Sequence, residues 1–308
     1  MSLLITTPHT SKYENWREAF AQIAPDLKVV CGAEQASEEV TYVLTWHPPK
    51  GLFQSLPNLR AVFSMGAGVD HITSDPSLPN VPLIRQRDAG MGTQMSEYAL
   101  YAALHYQRDF DIMRLNQQSQ TWAPFVSGVR PRLNIGILGL GTLGSVVANA
   151  LVQNGFPVSG WSRSKKEVDG VTSYSGEGEL GDFLAQTELL LCLLPDTEQT
   201  RGMVNQNLLQ QLPKGAVLVN VARGALVNDD ELLQAIDSGH LRGAMLDVFH
   251  IEPLPTEHRF WSHPNIVVTP HVAAETVYAA SAQQVSLEIQ RMEAGLPPTE
   301  VVDPSRGY

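Results

Sequence analysis

Two doubly wound α/β domains, each built on a parallel sheet, are predicted by three observations: the length of the chain, its alternation of short apolar runs with helix-like segments, and a glycine-rich turn near its middle. A chain of 308 residues exceeds what one ordinary hydrophobic core organises and suits two domains. Apolar runs of strand length recur along both halves, separated by segments of helical spacing, which is the pattern of βαβ units and so of parallel sheets. With 43% hydrophobic and 17% charged residues, the composition is that of a soluble globular protein. No run approaches the roughly 18 apolar residues of a membrane span. The N-terminus MSLLITTPHT lacks the basic region and long apolar stretch of a signal peptide, so a cytoplasmic location is expected.

In the first hundred residues, Leu3-Leu4-Ile5, Lys28-Val29-Val30, Thr41 to Leu44, Leu59 to Ser64 and Val81 to Ile84 read as strands, and Tyr13 to Ala24 as a helix. Met65-Gly66-Ala67-Gly68 closes the fourth of these strands, where two glycines permit a tight turn. From Thr93 to about Gln120 the chain has neither Gly nor Pro. It carries Met95, Ala99, Ala102, Ala103, Tyr106, Phe110 and Met113 at helical spacing, which predicts one long helix crossing between domains. After a loop from Trp122 to Arg132, a second set of alternating elements runs to His271. The last helix, Glu275 to Ala294, stops at Gly295 with Pro297-Pro298 beyond it. Cys31 and Cys192 each sit in an apolar, strand-like run, which favours buried free thiols over a disulfide or a metal site.

Ile135-Gly136-Ile137-Leu138 reads as a buried strand, followed by Gly139-Leu140-Gly141-Thr142-Leu143-Gly144 and a helix from Ser145 to Asn154. Alone, GxGxxG is a weak signal; between a strand and a helix it marks a dinucleotide-binding Rossmann unit. The glycines allow the turn and the backbone's approach to a pyrophosphate, whose charge meets the helix N-terminus. The next strand, Pro157 to Trp161, ends in Ser162-Arg163-Ser164-Lys165-Lys166, where an NAD enzyme would place an acid for the ribose 2'-hydroxyl. An acid would repel a 2'-phosphate, whereas Arg163 can pair with it bidentately and Ser162 or Ser164 can donate a hydroxyl. An exposed basic turn would explain the two lysines but not the missing acid, so NADP(H) is expected. A net charge of −11 provides no basic domain for nucleic acid or an anionic membrane. An anionic cofactor and substrate must therefore be met by local cations and helix N-termini.

Three polar residues of the last third stand in distinctive strings: Arg223 in VNVARGALV, Glu252 in LDVFHIEPLP and His271 in VVTPHVAA. Each alone has a bland reading, as a surface charge, a loop acid and a structural histidine; together their residue types could make an acid–base site for a 2-keto acid. Such a reaction needs a fixed cation to grip the carboxylate and polarise the ketone, a task suited to the arginine fork. It also needs a proton donor, and a histidine beside a carboxylate supplies one near working pH.

These strings, with Phe260-Trp261-Ser262-His263-Pro264 between the last two, resemble the D-isomer-specific 2-hydroxyacid dehydrogenases, in particular the glyoxylate/hydroxypyruvate reductase branch. The resemblance implies two Rossmann/flavodoxin-like domains with the active site in the cleft between them. The substrate domain would be discontinuous (1–100 and 273–308) and the dinucleotide-binding domain would span 101–272. It further implies that Arg223 binds and polarises the substrate, that His271 protonates its oxygen, and that Glu252 holds His271 charged and oriented. Backbone N–H groups of Met65, Gly66, Ala67 and Gly68 would hold the substrate carboxylate opposite the arginine. Gly139, Gly141, Thr142, Leu143 and Gly144 would meet the pyrophosphate, with Thr142 standing where the family commonly has a longer basic residue. Leu194, Pro195, Val221 and Ala222 would line the cofactor, and Asp247 would face the carboxamide.

Trp46 and Trp122 read equally as caps of a small substrate pocket and as packing residues. No metal is expected, because the nine histidines show no pairing with acids at ligand spacing. The reaction expected is reduction of glyoxylate or hydroxypyruvate by NADPH in a homodimer built on the long helix after Thr93 and its loop. A D-lactate or other larger-substrate dehydrogenase is the alternative enzyme. A nucleotide-sensing scaffold, as in the related transcriptional corepressors, is the alternative of a different class, since fold alone does not decide function.

Overall fold

The computed structural model describes residues 1–124 and 131–303. By proximity of Cα atoms the chain divides into two compact units, one of Met1–Met91 with Glu275–Tyr308 and one of Gly92–Ala274.

The first unit opens with β1 (Ser2–Thr6), α1 (Tyr13–Ile23), β2 (Lys28–Cys31), β3 (Tyr42–Thr45), β4 (Ala61–Ser64), the short α2 (Asp70–Thr73) and β5 (Leu83–Ile84). Its five strands are all parallel, in the order β2-β1-β3-β4-β5. Side-chain alternation sends Leu3, Ile5, Leu44 and Phe63 into a core on one face, shared with Trp16 and Phe20 of α1, and Leu4, Val43 and Val62 into a core on the other. With both faces covered, the central strands show no polar alternation, and every residue of β1, β3 and β4 is buried.

The second unit begins inside α3 (Met91–Gln107), which α4 (Phe110–Gln118) follows. The single helix expected from Thr93 to Gln120 is therefore two. Asp109 breaks it by adopting the left-handed backbone conformation, φ 55°. Its carboxylate is 2.6 Å from the Arg242 guanidinium, which also grips Asp111. A partly buried ion pair with a residue 133 positions away outweighs the helical propensity of the run, since Asp109 is itself buried and an unpaired charge there would be costly.

There follow β6 (Ile135–Leu138), α5 (Thr142–Gln153), β7 (Val158–Ser162), β8 (Val171–Ser175), α6 (Leu180–Ala185), β9 (Leu189–Cys192), α7 (Gln206–Leu209), β10 (Ala216–Asn220), α8 (Asp229–Asp237), β11 (Leu241–Leu246) and β12 (Ile266–Val268). All seven strands are parallel, in the order β12-β11-β10-β9-β6-β7-β8. The chain leaves β6 toward β8 and then returns past it to β9. Connections thus depart in opposite directions between β6 and β9, and the crevice that this opens beyond the strand carboxyl ends is where ligands of such sheets bind.

The last helix, α9 (Tyr278–Glu293), belongs to the first unit. Tyr278 meets Trp16 edge-on at 4.8 Å, and Ala282, Val285 and Ile289 complete that core. Val301 then pairs antiparallel with Ile84. Cys31 and Cys192 are free and buried; burial pushes the Cys192 thiol up to about 12, which keeps it inert. Among the described residues no helix is long and apolar enough to cross a membrane.

Candidate active site

The glycine turn after β6 has the geometry a dinucleotide requires. Gly139 holds φ 112°, and a Cβ there would lie 2.8 Å from the backbone of Leu193. A Cβ on Gly144 would lie 1.9 Å from the carbonyl oxygen of Gly139, so only glycine lets α5 sit this close to the strand end. At Gly141 a Cβ would meet nothing within 4 Å. That open space lies at the N-terminus of α5, whose first turn carries no acid, and a pyrophosphate can enter it. Thr142 opens the helix and is exposed, while Leu143 is half-buried.

At the end of β7, Ser162 is buried and its hydroxyl donates to the carbonyl of Ser164 at 2.8 Å. Arg163 and Ser164 are left as the exposed pair at the tip of the strand, and no acid follows until Glu167. Leu194 and Pro195 follow β9, and Val221 and Ala222 follow β10. The expected cofactor residues thus stand at the carboxyl ends of neighbouring strands, and the set fits a phosphorylated dinucleotide.

Arg223, Glu252 and His271 are brought together in the same unit. The Nδ1 atom of His271 lies 2.6 Å from Oε2 of Glu252, whose Oε1 accepts from the backbone N–H of Phe249 at 2.9 Å. Burial pushes the Glu252 carboxyl up. The hydrogen bonds from His271 and Phe249, with the charges of His271 and Arg223, outweigh burial and hold it below the usual glutamate range. Arg223 is extended at the end of β10, and Asn220 fixes its turn by donating to the Arg223 carbonyl and accepting from the N–H of Ala222. Gly224 next to it needs no side chain: a Cβ would lie 2.0 Å from the carbonyl carbon of Phe249. The arginine turn can therefore lie directly against the loop carrying Glu252.

His271 stands in the left-handed region at φ 54°. Its N–H donates to the carbonyls of Asp247 and Thr269. Asp247 is 1% exposed, and its carboxylate accepts from the N–H groups of Val272 and Ala273 and from the Thr269 hydroxyl. Thr269 in turn lies 2.7 Å from the hydroxyl of Tyr98 on α3. Asp247 thus clamps the turn that presents His271, a role the sequence did not disclose, and nothing in the local string marked Tyr98 or Thr269.

In the first unit, the Met65–Gly68 turn follows β4. Trp46 packs on it so closely that a Cβ on Gly66 would stand 2.9 Å from the indole ring, and the rings of His47 and His71 lie against Trp46. Trp122, by contrast, is 94% exposed, so it is not a packing residue of its own unit. Residues 125–130, part of the loop expected to contribute to a dimer, lie outside the described residues.

Residues 100–273 match the family model described as "D-isomer specific 2-hydroxyacid dehydrogenase, NAD binding domain". A D-isomer specific 2-hydroxyacid dehydrogenase from Xanthobacter autotrophicus Py2, solved with NADPH and MES, is 37% identical over 100% of this chain and 99% of its own, with a TM-score of 0.95. An NADPH-dependent glyoxylate/hydroxypyruvate reductase from Sinorhizobium meliloti, solved with NADP and sulfate, is 36% identical over 100% and 99%, with a TM-score of 0.93. A probable 2-hydroxyacid dehydrogenase from Rhizobium etli CFN 42, solved with NADP, HEPES and L(+)-tartaric acid, is 33% identical over 100% and 99%, with a TM-score of 0.89. With two parallel α/β units, a glycine turn shaped for a dinucleotide and an Arg–Glu–His cluster in one unit, the chain belongs to the D-isomer-specific 2-hydroxyacid dehydrogenase family.

Proposed function

We propose that the protein is an NADPH-dependent reductase of small 2-keto acids, converting glyoxylate to glycolate and hydroxypyruvate to D-glycerate. The observation that carries this reading is the Glu252–His271 pair at 2.6 Å with Arg223 beside it. The Met1–Met91 and Glu275–Tyr308 unit is the substrate domain and Gly92–Ala274 the dinucleotide domain. NADPH, when bound, supplies a hydride to the 2-carbon of the keto acid. Arg223 grips the carboxylate and draws charge toward the ketone oxygen. Glu252 engages Nδ1 of His271, and the imidazole hands a proton to that oxygen from Nε2. The backbone of Gly139, Gly141, Thr142, Leu143 and Gly144 meets the pyrophosphate. Leu194, Pro195, Val221 and Ala222 line the cofactor, and Asp247, beyond clamping the His271 turn, faces the carboxamide.

Preference for NADPH rests on Arg163 and Ser164, exposed at the tip of β7 in a stretch whose sequence holds no acid before Glu167, and the NADP-bound relatives are consistent with it. Trp46, stacked on the substrate turn, narrows it toward short acids. We take the enzyme to work in the cytoplasm as a homodimer. Supporting the second point, Tyr101 and Leu104 of α3 and Phe110 and Ile112 of α4 are all more than 40% exposed, an apolar face that a second copy would cover.

The test is loss of absorbance at the reduced nicotinamide band with two- to six-carbon keto acids against NADPH and NADH, for the protein and its Arg163→Ala variant. Glyoxylate and hydroxypyruvate with NADPH should be the best pairs. Arg163→Ala should raise KM for NADPH by about ten- to a hundredfold, as for one charge-assisted contact, and leave NADH nearly unchanged. Cofactor binding without turnover of any keto acid would overturn the reading, and equal effects on both cofactors would remove Arg163 from the 2'-phosphate.

A further inference from the structure

The Met65–Gly68 turn differs from an ordinary loop in how its backbone is satisfied. The Ser64 carbonyl accepts from the side-chain amide of Gln86 at 3.2 Å. The Met65 carbonyl accepts from the Thr276 hydroxyl at 2.5 Å, and the Gly66 carbonyl from the backbone N–H of Gln86 at 3.3 Å. The Gly68 carbonyl accepts from the Ser64 hydroxyl, which also takes the Gly66 N–H. Among the described residues, no acceptor takes the N–H groups of Ala67 and Gly68, and both residues are partly exposed. Four carbonyls engaged beside two open N–H groups make a local concentration of positive dipole, an anion-binding nest.

A peptide group is planar, so fixing a carbonyl fixes the N–H of the next residue. The Gln86 amide, the Thr276 hydroxyl and the Gln86 N–H fix three successive planes, Ser64–Met65, Met65–Gly66 and Gly66–Ala67. The first two planes carry the N–H groups of Met65 and Gly66, which are held by the Thr45 carbonyl and the Ser64 hydroxyl, and the third carries the open N–H of Ala67. A rotation of the third would aim the Gly66 carbonyl oxygen where that N–H now stands and repel a carboxylate. Gln86 is 3% exposed, and its amide orientation is set because the Ser64 carbonyl can only accept. Thr276 is five residues beyond His271, outside every motif singled out from the sequence.

We infer that Gln86 and Thr276 are positioning residues for substrate, holding the Met65–Gly68 turn with its N–H groups of Ala67 and Gly68 presented to the keto-acid carboxylate. This rests on the keto-acid reading of the site. Neither side chain touches substrate; each acts through the turn.

The experiment uses the full-length protein and its Thr276→Val, Thr276→Ser and Gln86→Leu variants, each checked for a cooperative melt. Two quantities are measured: KM and kcat for hydroxypyruvate at saturating NADPH, and the dissociation constant of oxamate, an unreactive keto-acid mimic, by calorimetry with NADPH present. Thr276→Val and Gln86→Leu should each raise KM and the oxamate constant about tenfold, the scale of one hydrogen bond, with kcat changed less than threefold and KM for NADPH unmoved. Thr276→Ser should restore both. Folded Val and Leu variants with unchanged oxamate binding would overturn the inference, and so would a serine variant as impaired as the valine one. If the wild-type protein binds oxamate, and weakly so in the valine variant, but reduces no keto acid, the turn's role stands and the reductase reading falls. If it neither binds oxamate nor turns over, both fall.

Discussion

His271 and Glu252 are the residues whose chemistry is most exposed to pH. Nδ1 of His271 lies 2.6 Å from Glu252, and this hydrogen bond leads the effects that hold the Glu252 carboxyl low; the proton that the proposed reduction consumes sits on this pair. Keto-acid reduction, which consumes the proton on His271, should therefore be supported at low pH and decline along an alkaline limb. Hydroxy-acid oxidation should run the opposite way. Glu252→Gln removes the charge and keeps a hydrogen-bonding side chain of similar size, so the alkaline limb of kcat/KM for hydroxypyruvate should move to lower pH. A limb that stays in place would mean that Glu252 does not set the charge of His271. The effect on stability has a definite sign. A carboxylate whose folded pKa is depressed contributes stability above its unfolded pKa and loses it as pH falls through the folded one. The melting temperatures of the wild-type and Glu252→Gln proteins should thus converge below about pH 4. The three polar residues were legible because each sits in a distinctive local string. The clamp on His271 was not: Asp247, Thr269 and Tyr98 meet only after α3 packs beside the strand ends, and no spacing along the chain reports that.

Among elements, the strand–turn–helix of β6 and α5 was readable, although the helix starts at Thr142 rather than Ser145, because close backbone approach leaves a sequence trace in the glycines. Their tasks differ, and substitutions should separate them. Gly144→Ala would drive a Cβ to 1.9 Å from the Gly139 carbonyl oxygen and should destabilise the fold by about 1–3 kcal/mol, as overpacking does, seen as a lower melting temperature without cofactor. Gly141→Ala meets open space, so the melt should hold while NADPH affinity falls, because the new methyl occupies the approach of the pyrophosphate. A Gly141→Ala protein with native NADPH affinity would place the cofactor elsewhere. The break between α3 and α4 left no such trace. The run from Thr93 to Gln120 has helical spacing throughout, and its interruption at Asp109 depends on Arg242, a charge on β11. Propensity sets a weak prior that tertiary pairing overrides.

At the scale of the molecule, the parallel sheets were legible because strands buried on both faces are short, apolar runs that recur along both halves of the chain, several of them separated by helices. The exposed apolar side chains of α3 and α4 were not separable by pattern from core positions; only the fold shows which ones lack cover. If they form the contact between two copies, sedimentation equilibrium should report twice the chain's mass, and Leu104→Glu with Phe110→Glu should give a monomer. A wild-type monomer at micromolar concentration would remove that role from this face. The central claim is that Arg223, Glu252 and His271 act as one device. Its most direct measurement is kcat/KM for hydroxypyruvate with saturating NADPH in the Arg223→Lys, Glu252→Gln and His271→Gln proteins and in the triple variant. Loss of the proton donor should cost about 10²- to 10⁴-fold. Because residues that act as a unit have non-additive effects, the triple variant should be little worse than the worst single one. A His271→Gln protein with near wild-type activity, or three losses that simply multiply, would contradict the account.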